Sequence, residues 1–282
     1  MKNKKITVII PTYNEEKCIV ACVNSMLEQS YKPIELLIVD DGSTDQTLLL
    51  LDELQRSRFE IRLLKQKHQG PAKARNYAAK EAKGEILIFM DADMTFDKDF
   101  VRDLIKPILA GKYRGTFSKQ EWVANWRNVW ARCWNYNLNL VKPKMIPDDY
   151  PDEGQDFRAI LKSEFIRVGG FDDTGYTDTW TLAKKLGYKP HVVEGAIYYH
   201  NNPDNLIEVF TQAKWVAKRS YKLSVIGLVG SLIRASLPIS FFIGVYKAAK
   251  YFEIRFLVFK MIYDLGSMIG ILEMVSTGKL AK

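Results

Sequence analysis

The first hundred residues alternate between short apolar runs and segments in which apolar residues recur at helical spacing. The short runs are rich in β-branched and aliphatic residues and predict buried strands at 6–10, 34–39, 61–64 and 86–90. The intervening segments predict helices at 15–29, at 72–82 and, after a cap at Ser43 or Thr44, up to residue 54. Repeated strand–helix units favour an α/β fold, with a mixed, mainly parallel sheet and helices on both faces.

Polar clusters follow three of these strands. They are Thr12-Tyr13-Asn14-Glu15 after the first strand, Asp40-Asp41-Gly42 after the second and Asp91-Ala92-Asp93 after the fourth. Ligands of such sheets bind beyond the carboxyl ends of the strands, and those ends share one rim. We therefore expect the three clusters to converge on a single site.

Asp91 and Asp93 are separated by one residue, so both carboxylates can face one hard cation. Mg²⁺ or Mn²⁺ suits such oxygen ligands and usually keeps substrate phosphates in its remaining positions. The alternative is that the pair simply ends a strand, but the neighbouring polar clusters favour a metal site. Arg75, near a helix start, predicts a diphosphate contact, with an ordinary solvated helix face as the alternative.

Four tryptophans recur at every fourth residue, at Trp122, Trp126, Trp130 and Trp134. The segment 119–136 predicts a helix, on which this spacing makes a slowly drifting stripe. Tryptophan favours membrane interfaces and sugar-stacking surfaces, so we expect the stripe to face lipid or an acceptor. A stripe facing the core is the alternative. An acidic loop at 147–157 and a short helix at 176–187 follow.

Two apolar stretches follow His200, at 224–246 and 256–275. The first is long enough to cross a bilayer, but Arg234 lies near its middle and Pro238 would kink it. The second carries Lys260, Asp264 and Ser267 on one side, which predicts an amphipathic helix, and Gly266-x-x-x-Gly270, which permits close packing. Basic residues flank the first stretch on both sides. They favour an in-plane or re-entrant helical hairpin over two true spans. Packing on the rest of the chain or on a dimer partner is a third possibility.

Composition narrows the class of partner. The chain has 282 residues, is 47% hydrophobic and can bury a sizeable core. Its 41 Lys+Arg against 33 Asp+Glu give a net charge of +8, which suits nucleic acid, anionic lipid or phosphate-bearing ligands. No recognition-helix motif is present and many basic residues flank apolar stretches, so we expect no nucleic-acid partner.

Cysteine usage and the N-terminus bear on the compartment. Cys18, Cys22 and Cys133 are few, odd in number and without metal-ligand spacing, which favours a reducing compartment. The basic N-terminus leads into a five-residue strand that is too short for a signal-peptide core. We therefore expect residues 1–222 in the cytoplasm, with 223–282 as a membrane-associated helical region.

Four motifs, in order, resemble those of the family 2 glycosyltransferases of the GT-A fold. They are Val8-Ile-Ile-Pro11-Thr-Tyr-Asn14-Glu, Val39-Asp-Asp-Gly-Ser-Thr-Asp45, Gly70-Pro-Ala-Lys-Ala-Arg75-Asn76 and Met90-Asp-Ala-Asp93. The resemblance implies a Rossmann-like GT-A domain over 1–222, with 1–100 as the nucleotide-sugar-binding half and 101–222 as the acceptor side. It implies a nucleoside pocket lined by Pro11, Thr12, Asn14 and Glu15. It also places Asp40, Asp41, Arg75, Asp91 and Ala92 against the nucleotide, and the metal on Asp93 with Asp91.

The resemblance also implies inversion at the anomeric carbon, with a carboxylate as the base. Many members carry this base in a Glu-Asp pair after a Gly-Gly-Phe-Asp segment. Here Gly169-Gly170-Phe171-Asp172 is followed by Thr177-Asp178, so we assign the base to Asp178. Asp156, Asp172 and Asp173 are alternatives, and Thr177 leaves both a sugar hydroxyl and a phosphate open as acceptor. His200 ends a predicted strand and is either a further metal ligand or a structural histidine.

These expectations describe an inverting, metal-dependent glycosyltransferase that uses a UDP-, GDP- or dTDP-sugar. A degraded Gln212-Ala-Lys-Trp215 motif disfavours a processive polymerase. We expect a lipid-linked or membrane-proximal acceptor, either a polyprenyl phosphate or a lipid-linked glycan, at the cytoplasmic face of the cell membrane. A catalytically inactive nucleotide-binding membrane scaffold is the alternative. The sequence does not indicate the oligomeric state.

Overall fold

The structure is a computed structural model that describes residues 4–147, 149–151, 154, 156–174, 179–219, 221 and 224–279. The chain divides into two compact units. The first unit consists of Met1–Glu121, Ile146–Asp173 and Asp178–Tyr199, and the second of Trp122–Met145, Thr174–Thr177 and His200–Lys282. The predicted boundary at residues 222–223 therefore falls inside the second unit.

The first unit is built on a seven-stranded sheet. Its strands are β1 (Ile6–Thr12), β2 (Ile34–Asp40), β3 (Ile61–Lys65), β4 (Ile86–Phe89), β6 (Gly115–Ser118), β8 (Ala159–Leu161) and β9 (His191–Val193). They lie in the order β3-β2-β1-β4-β8-β6-β9. β8 runs antiparallel to both of its neighbours, and the other pairs are parallel. Three short strands, β5 (Met94–Phe96), β7 (Glu121–Val123) and β10 (Tyr198–His200), form a second sheet in the order β5-β10-β7. The predicted mixed, mainly parallel sheet is confirmed.

The helices divide between the two units. Those of the first are α1 (Ile19–Leu27), α2 (Thr47–Ser57), α3 (Pro71–Glu81), α4 (Phe100–Leu109), α6 (Lys162–Arg167) and α7 (Trp180–Leu186). Those of the second are α5 (Val129–Asn137), α8 (Leu206–Ala217), α9 (Val225–Arg234), α10 (Leu237–Lys250) and α11 (Arg255–Thr277).

The large sheet is covered on both faces because its central strands carry apolar residues on both sides. Successive side chains of a strand point to opposite faces. Val8 and Ile10 therefore join one core with α1 and α4, whereas Ile9 joins another with α3 and α7. This two-sided burial confirms the predicted helices on both faces.

In the second unit, α11 packs closely against α8 through its two glycines. A Cβ on Gly266 would lie 2.5 Å from the carbonyl oxygen of Phe210, and one on Gly270 would lie 2.2 Å from that of Lys214. Any side chain at these positions would push the helices apart. The close packing predicted for the Gly-x-x-x-Gly segment is confirmed.

The polar side of α11 does not face solvent, unlike the polar side of an amphipathic surface helix. Lys260 and Asp264 are 2% and 4% exposed, and Lys260 Nζ donates to Asp264 Oδ1 at 2.8 Å. Because the two residues are one turn apart, they neutralise each other within the unit. The predicted amphipathic character is corrected accordingly, since the charged side of this helix points inward.

The predicted helix over 119–136 is wrong. The segment contains β7, a turn and then α5, so Trp122 lies on a strand and Trp126 in the turn. Asn128 caps α5, because its Oδ1 accepts from the backbone N–H of Trp130 at 2.8 Å. The four tryptophans therefore do not form one helical stripe. Trp134 instead packs edge-on against Phe259 and Tyr263 inside the second unit.

The apolar stretch 224–246 is broken rather than continuous. α9 ends at Arg234, and α10 begins at Leu237 with Pro238 in its first turn. Proline has no N–H to bond the preceding turn and its ring crowds it, so a new helix starts at this point. In the part of the chain that the structure describes, no one helix combines the length and apolarity of a membrane span. α9 and α10 meet those criteria only as a pair, bent by 63°.

Candidate functional site

The ends of three parallel strands and the start of one antiparallel strand meet at one edge of the large sheet, called here the rim. Thr12 at the end of β1 pairs with Asp40 at the end of β2, and Ile9 pairs with Phe89 at the end of β4. β8 runs in the opposite direction, so Arg158, just before it, reaches the same edge. The backbone N–H of Phe89 bonds the carbonyl of Arg158 at 2.9 Å. The expected convergence of the polar clusters is confirmed.

Asn14 joins the loop after β1 to the loop after β2. Its Oδ1 accepts from the backbone N–H of Thr44 at 2.8 Å, and its own N–H donates to Ser43 Oγ at 3.0 Å. Asn14 has a φ of +57°, in the left-handed region that asparagine tolerates better than most residues. Pro11 and Thr12, before this loop, are buried. The asparagine thus fixes the shape of both loops at the rim.

The prediction of a helix cap at Ser43 or Thr44 is wrong, because both residues form hydrogen bonds with Asn14 instead. α2 begins at Thr47. Thr47 Oγ1 accepts from the backbone N–H of Glu15 at 2.7 Å, and its own N–H donates to Asp45 Oδ1 at 2.9 Å. Glu15 is therefore tied to the start of α2 through its backbone.

Asp40 and Asp41 are almost fully buried, at 2% and 3% exposure, and both carboxylates accept hydrogen bonds from the chain. Asp40 Oδ2 accepts from the N–H of Gly42 at 3.2 Å. Asp41 takes bonds from the loop before α3: Gln66 Nε2 at 2.6 Å, Gln69 N at 2.9 Å and Gly70 N at 2.8 Å. These carboxylates hold two loops of the rim in place. Their predicted contact with the nucleotide stays a prediction.

A stacked aromatic pair at the rim was missed by sequence reasoning. The rings of Tyr13 and His68 lie 4.0 Å apart at an angle of 28°. His68 Nδ1 lies 3.0 Å from Asp41 Oδ2, which orients the imidazole, and Tyr13 is 40% exposed. A planar exposed ring beside a polar cluster is a surface on which a base can stack. The only sequence signal is that both residues adjoin the polar motifs.

Arg75 is not on a solvated helix face. It is 6% exposed, and its Nη2 donates to Asp91 Oδ1 at 2.6 Å. Its guanidinium also lies over the ring of Phe171, 5.9 Å from the centroid. Arg75 reaches Asp91 because α3 starts directly after the rim loop at Gly70. Arg75 therefore neutralises the first carboxylate of the Asp-Ala-Asp motif.

Arg158 is a second arginine at Asp91, and sequence reasoning missed it. Its Nη1 lies 3.4 Å from Asp91 Oδ2, and its guanidinium stacks over Tyr198 at 5.4 Å. The hydroxyl of Tyr198 donates to Glu121 Oε2 at 3.0 Å. A buried chain of polar groups thus runs from Glu121 through Tyr198 and Arg158 to Asp91. No local pattern marks Arg158, because it reaches the rim only through the antiparallel direction of β8.

The charge of Asp91 is fixed by these two arginines. Partial burial on its own would raise the pKa of Asp91, but the charges of Arg75 and Arg158 and their hydrogen bonds outweigh it. The pKa of the carboxyl therefore lies below its usual value, and Asp91 stays ionised. Behind the motif, burial, followed by the charges of Asp93 and Asp91, raises the pKa of Cys22 well above its usual value. Cys22 therefore stays a thiol.

Asp93 is the carboxylate of the motif that fits a metal ion delivered with a phosphate ligand. Both oxygens of Asp91 face arginines, and Asp93, which directly precedes β5, is half-buried beside buried Ala92. Among the described residues, no group of three or more His, Cys, Asp or Glu side chains could form a complete metal cage. Mg²⁺ and Mn²⁺ sites are commonly completed by one or two carboxylates plus substrate phosphates and waters, and Asp93 suits that type of site. The roles of Asp91 and Asp93 as ligands stay predictions.

Two predicted residues are not brought to this set by the described structure. His200 ends β10 and belongs to the second unit. Asp178, the predicted base, lies outside the described residues, as does Thr177. Of the alternatives for the base, Asp172 Oδ1 lies 2.8 Å from Lys185 Nζ and Asp173 Oδ2 lies 3.5 Å from Lys73 Nζ. The assignment of the base stays a prediction.

The segment leading toward Asp178 is held by Asn76. Its Nδ2 donates to the carbonyl of Phe171 at 2.8 Å, and its Oδ1 accepts from the N–H of the same residue at 2.9 Å. Gly170 allows this approach, because a Cβ there would lie 2.3 Å from Asn76 Oδ1. The Arg75-Asn76 pair thus places one side chain on Asp91 and the next on the Gly-Gly-Phe-Asp segment.

The model of the family "Glycosyl transferase family 2" matches residues 7–168. A stretch of 102 residues is 38% identical to the poly(ribitol-phosphate) beta-N-acetylglucosaminyltransferase TarS of Staphylococcus aureus and covers 35% of this chain and 18% of that protein. Another of 105 residues is 36% identical to glycosyltransferase GlyA of Streptococcus pneumoniae and covers 37% and 15%, respectively. The chain spans less than a fifth of the length of these two relatives.

Two solved structures share the fold. The crystal structure of S. aureus TarS 1–349 in complex with UDP-GlcNAc aligns with a TM-score of 0.59 at 18% identity, over 99% of this chain and 93% of that one. Mannosyltransferase PcManGT from Pyrobaculum calidifontis, in complex with GDP-Man and Mn²⁺, aligns with a TM-score of 0.58 at 19% identity, over 94% and 88%. The predicted GT-A fold is confirmed. Because the family model covers more than half of the chain, from β1 past the end of α6, the protein belongs to glycosyl transferase family 2.

Proposed function

We propose that the protein transfers a sugar from a nucleotide-sugar donor to an acceptor at a membrane surface, with inversion at the anomeric carbon. The observation that carries the proposal is the rim itself. Asp93 stands there beside Asp91, which is held by Arg75 and Arg158. The exposed Tyr13–His68 stack lies at the same rim. A diphosphate binds to positive charge and a metal ion, and a nucleobase stacks on a flat ring. The rim offers residues for each of these contacts.

In this proposal the nucleoside lies against the loops that Asn14 and Asp41 shape, with its base beside Tyr13. Asp93 holds the Mg²⁺ or Mn²⁺, with Asp91 beside it. The ion supplies charge neutralisation for the departing nucleoside diphosphate. The named complexes of TarS with UDP-GlcNAc and of PcManGT with GDP-Man and Mn²⁺ support a donor of this class.

Asp178 takes the proton from an acceptor hydroxyl, whose oxygen bonds to the anomeric carbon as the bond to the nucleoside diphosphate breaks, so that the configuration inverts. A phosphate acceptor is already ionised and would attack with little help from this base. The apolar helices α9 and α10 support an acceptor that is lipid-linked or membrane-proximal, such as a polyprenyl phosphate or a lipid-linked glycan. The same helices support a location at the cytoplasmic face of the cell membrane. His200 is proposed as a further ligand of the metal or the diphosphate.

Donor binding is tested by thermal stabilisation with UDP-, GDP- and dTDP-sugars, each with Mg²⁺, with Mn²⁺ and with EDTA. We expect one nucleotide class to raise Tm only when a divalent ion is present. Asp93→Asn should remove the metal-dependent part of this shift, whereas Asp178→Asn should keep it and abolish transfer to a hydroxyl acceptor. A protein that no donor stabilises with either ion contradicts the proposal. Unchanged transfer by Asp178→Asn contradicts the assignment of the base.

A further inference from the structure

α9 is an apolar helix with none of its residues buried. Val225 is 69% exposed, Ile226 75% and Ile233 56%. Such residues are usually covered when a helix is ordered, because leaving them in water forfeits the hydrophobic stabilisation of the helix. Something outside the described part of the second unit must therefore cover this helix.

α10 continues the same exposed surface on one of its two sides. Its inner side packs on α11 so closely that a Cβ on Gly244 would lie 2.8 Å from Leu257 Cδ1. Its outer side exposes five large apolar residues at helical spacing: Leu237, Phe241, Phe242, Val245 and Tyr246. The helix is thus fixed to the protein by one side and left uncovered on the other.

The corner between α10 and α11 projects two more apolar side chains. Phe252 is 98% exposed and has a φ of +51°, a region that glycine or asparagine usually occupies at the end of a helix. Ile254 is 77% exposed. An open depression of about 930 Å³ lies beside them, lined also by Val245 and Leu257. A phenylalanine ring that is exposed in this way does not stabilise the fold, so its exposure points to an interaction with another molecule.

The exposed charges along this surface are mostly positive. Glu253, between Phe252 and Ile254, is only 12% exposed and is paired with the exposed Arg255. Residues 224–252 contain Arg234, Lys247 and Lys250 and no aspartate or glutamate. Lys247 is turned inward, where its Nζ donates to the carbonyls of Tyr136 and Asn137. Arg234 and Lys250 are exposed at the C-terminal ends of α9 and α10. An apolar surface edged by cations complements an anionic lipid bilayer, whereas a second copy would bring cations of the same sign to its edge.

We propose that α9, the outer side of α10 and the corner at Phe252 form one surface, the docking face, that lies in the plane of an anionic lipid bilayer. α9 and α10 have ten and fourteen residues, so they are about 15 and 21 Å long, shorter than the hydrocarbon core of about 30 Å. In the plane of the interface their apolar side chains enter the acyl region, and Arg234 and Lys250 reach the head groups. The docking face rests on the proposed function in that it would hold the chain at the membrane that carries the acceptor.

The test is flotation of the full chain with vesicles of phosphatidylcholine alone or mixed with phosphatidylglycerol. No donor is added, so binding is measured apart from catalysis. We expect the protein to float with the anionic vesicles and less with the neutral ones. Phe242→Glu and Phe252→Glu should each weaken binding by about tenfold or more, because each puts a charge where an aromatic ring is inserted. Phe59→Glu is the matched control, since Phe59 is 93% exposed in the first unit, and it should float like the wild type.

Three results overturn the docking face. The first is that the wild type fails to float with anionic vesicles. The second is that the Phe242→Glu and Phe252→Glu variants float as well as Phe59→Glu. The third is a wild-type dimer, detected by light scattering after gel filtration, that both variants dissociate, because a second copy then covers the face. Donor-dependent thermal stabilisation of the same preparations shows separately whether the proposed function holds.

Discussion

Arg75 Nη2 and Asp91 Oδ1 lie 2.6 Å apart, which joins the start of α3 to the motif that follows β4. The arginine side chain is 7% exposed and the aspartate 36%. Asp91 also faces Arg158, so one carboxylate balances two cations at the rim. Within the Asp-Ala-Asp motif, Asp91 thus holds the two arginines in place at the rim.

Asp91→Asn should destabilise the fold more than Asp93→Asn does. It removes an anion that both arginines face, at a cost of roughly 1–3 kcal/mol, which the partial exposure of Asp91 reduces. Urea unfolding measures the difference. In the Arg75→Gln background the same substitution should cost less, because one of the two cations that Asp91 faces is gone. Equal losses in both backgrounds would show that the two side chains do not interact.

Arg158→Met should lower kcat and raise the metal concentration needed for half-maximal rate, because the Asp91 end of the motif loses one of its two supports. Arg158→Lys should restore part of the metal dependence, but not the stacking on Tyr198, since a lysine lacks the planar guanidinium. Steady-state kinetics with Mn²⁺ titrated at saturating donor measures both parameters. The control is Arg114→Met, an arginine that is exposed and pairs with Glu164 away from the rim. A change in stability with unaltered metal dependence would reduce Arg158 to a packing role.

The sequence predicts β1 to β4 well because their signal is local. Each is a short apolar run followed by a polar or turn-forming residue, and each appears within two residues of its predicted end. The rim followed from the same pattern, since parallel strands that alternate with helices must end at one edge. The position of the motifs after β1, β2 and β4 at one rim could therefore be predicted without knowledge of tertiary contacts.

The part of the chain after β4 was predicted less well because its determinants are not local. β6 and β8 have four and three residues and carry no periodic pattern. Arg158 gains its role from the antiparallel direction of β8, which no short motif encodes. The tryptophan spacing at 122–134 imitates a helix, but the Asn128 cap fixes the start of α5 in the middle of it. The capping interaction, and not the four-residue spacing of the tryptophans, therefore determines where the helix begins.

Glu35 should stabilise the fold in a pH-dependent way. Burial alone would raise its pKa, but hydrogen bonds from Thr7, the Lys83 N–H and Arg62 lower it below its usual value. A lowered pKa means that the carboxylate stabilises the fold above its unfolded-state pKa, near 4.5, and that this stability is lost as the pH falls through the lower folded-state value. Glu35→Gln should therefore be less stable than the wild type at pH 7, with the gap narrowing below about pH 4.5.

Urea unfolding at several pH values measures this gap. Asp52→Asn provides the control, because Asp52 forms an exposed ion pair with Lys65 and such pairs contribute about 0–1 kcal/mol. Its effect should be small at every pH. A gap for Glu35→Gln that persists unchanged into acid would mean that packing, and not the ionised carboxylate, causes the loss.

Gly170→Ala should destabilise the protein and reduce transfer much more than Gly169→Ala does. Both glycines have φ near +74°, so alanine costs about 1 kcal/mol of backbone strain at either position. They differ in their surroundings, because a Cβ on Gly170 would meet Asn76 Oδ1 at 2.3 Å whereas one on Gly169 would meet nothing within 4 Å. Gly170→Ala must push Asn76 off Phe171 and so release the segment that leads toward Asp178. Urea midpoints and kcat of the two variants separate the cost of backbone strain from the cost of displacing Asn76. Equal losses in both variants would rule out the Asn76 contact as the cause of the loss in Gly170→Ala.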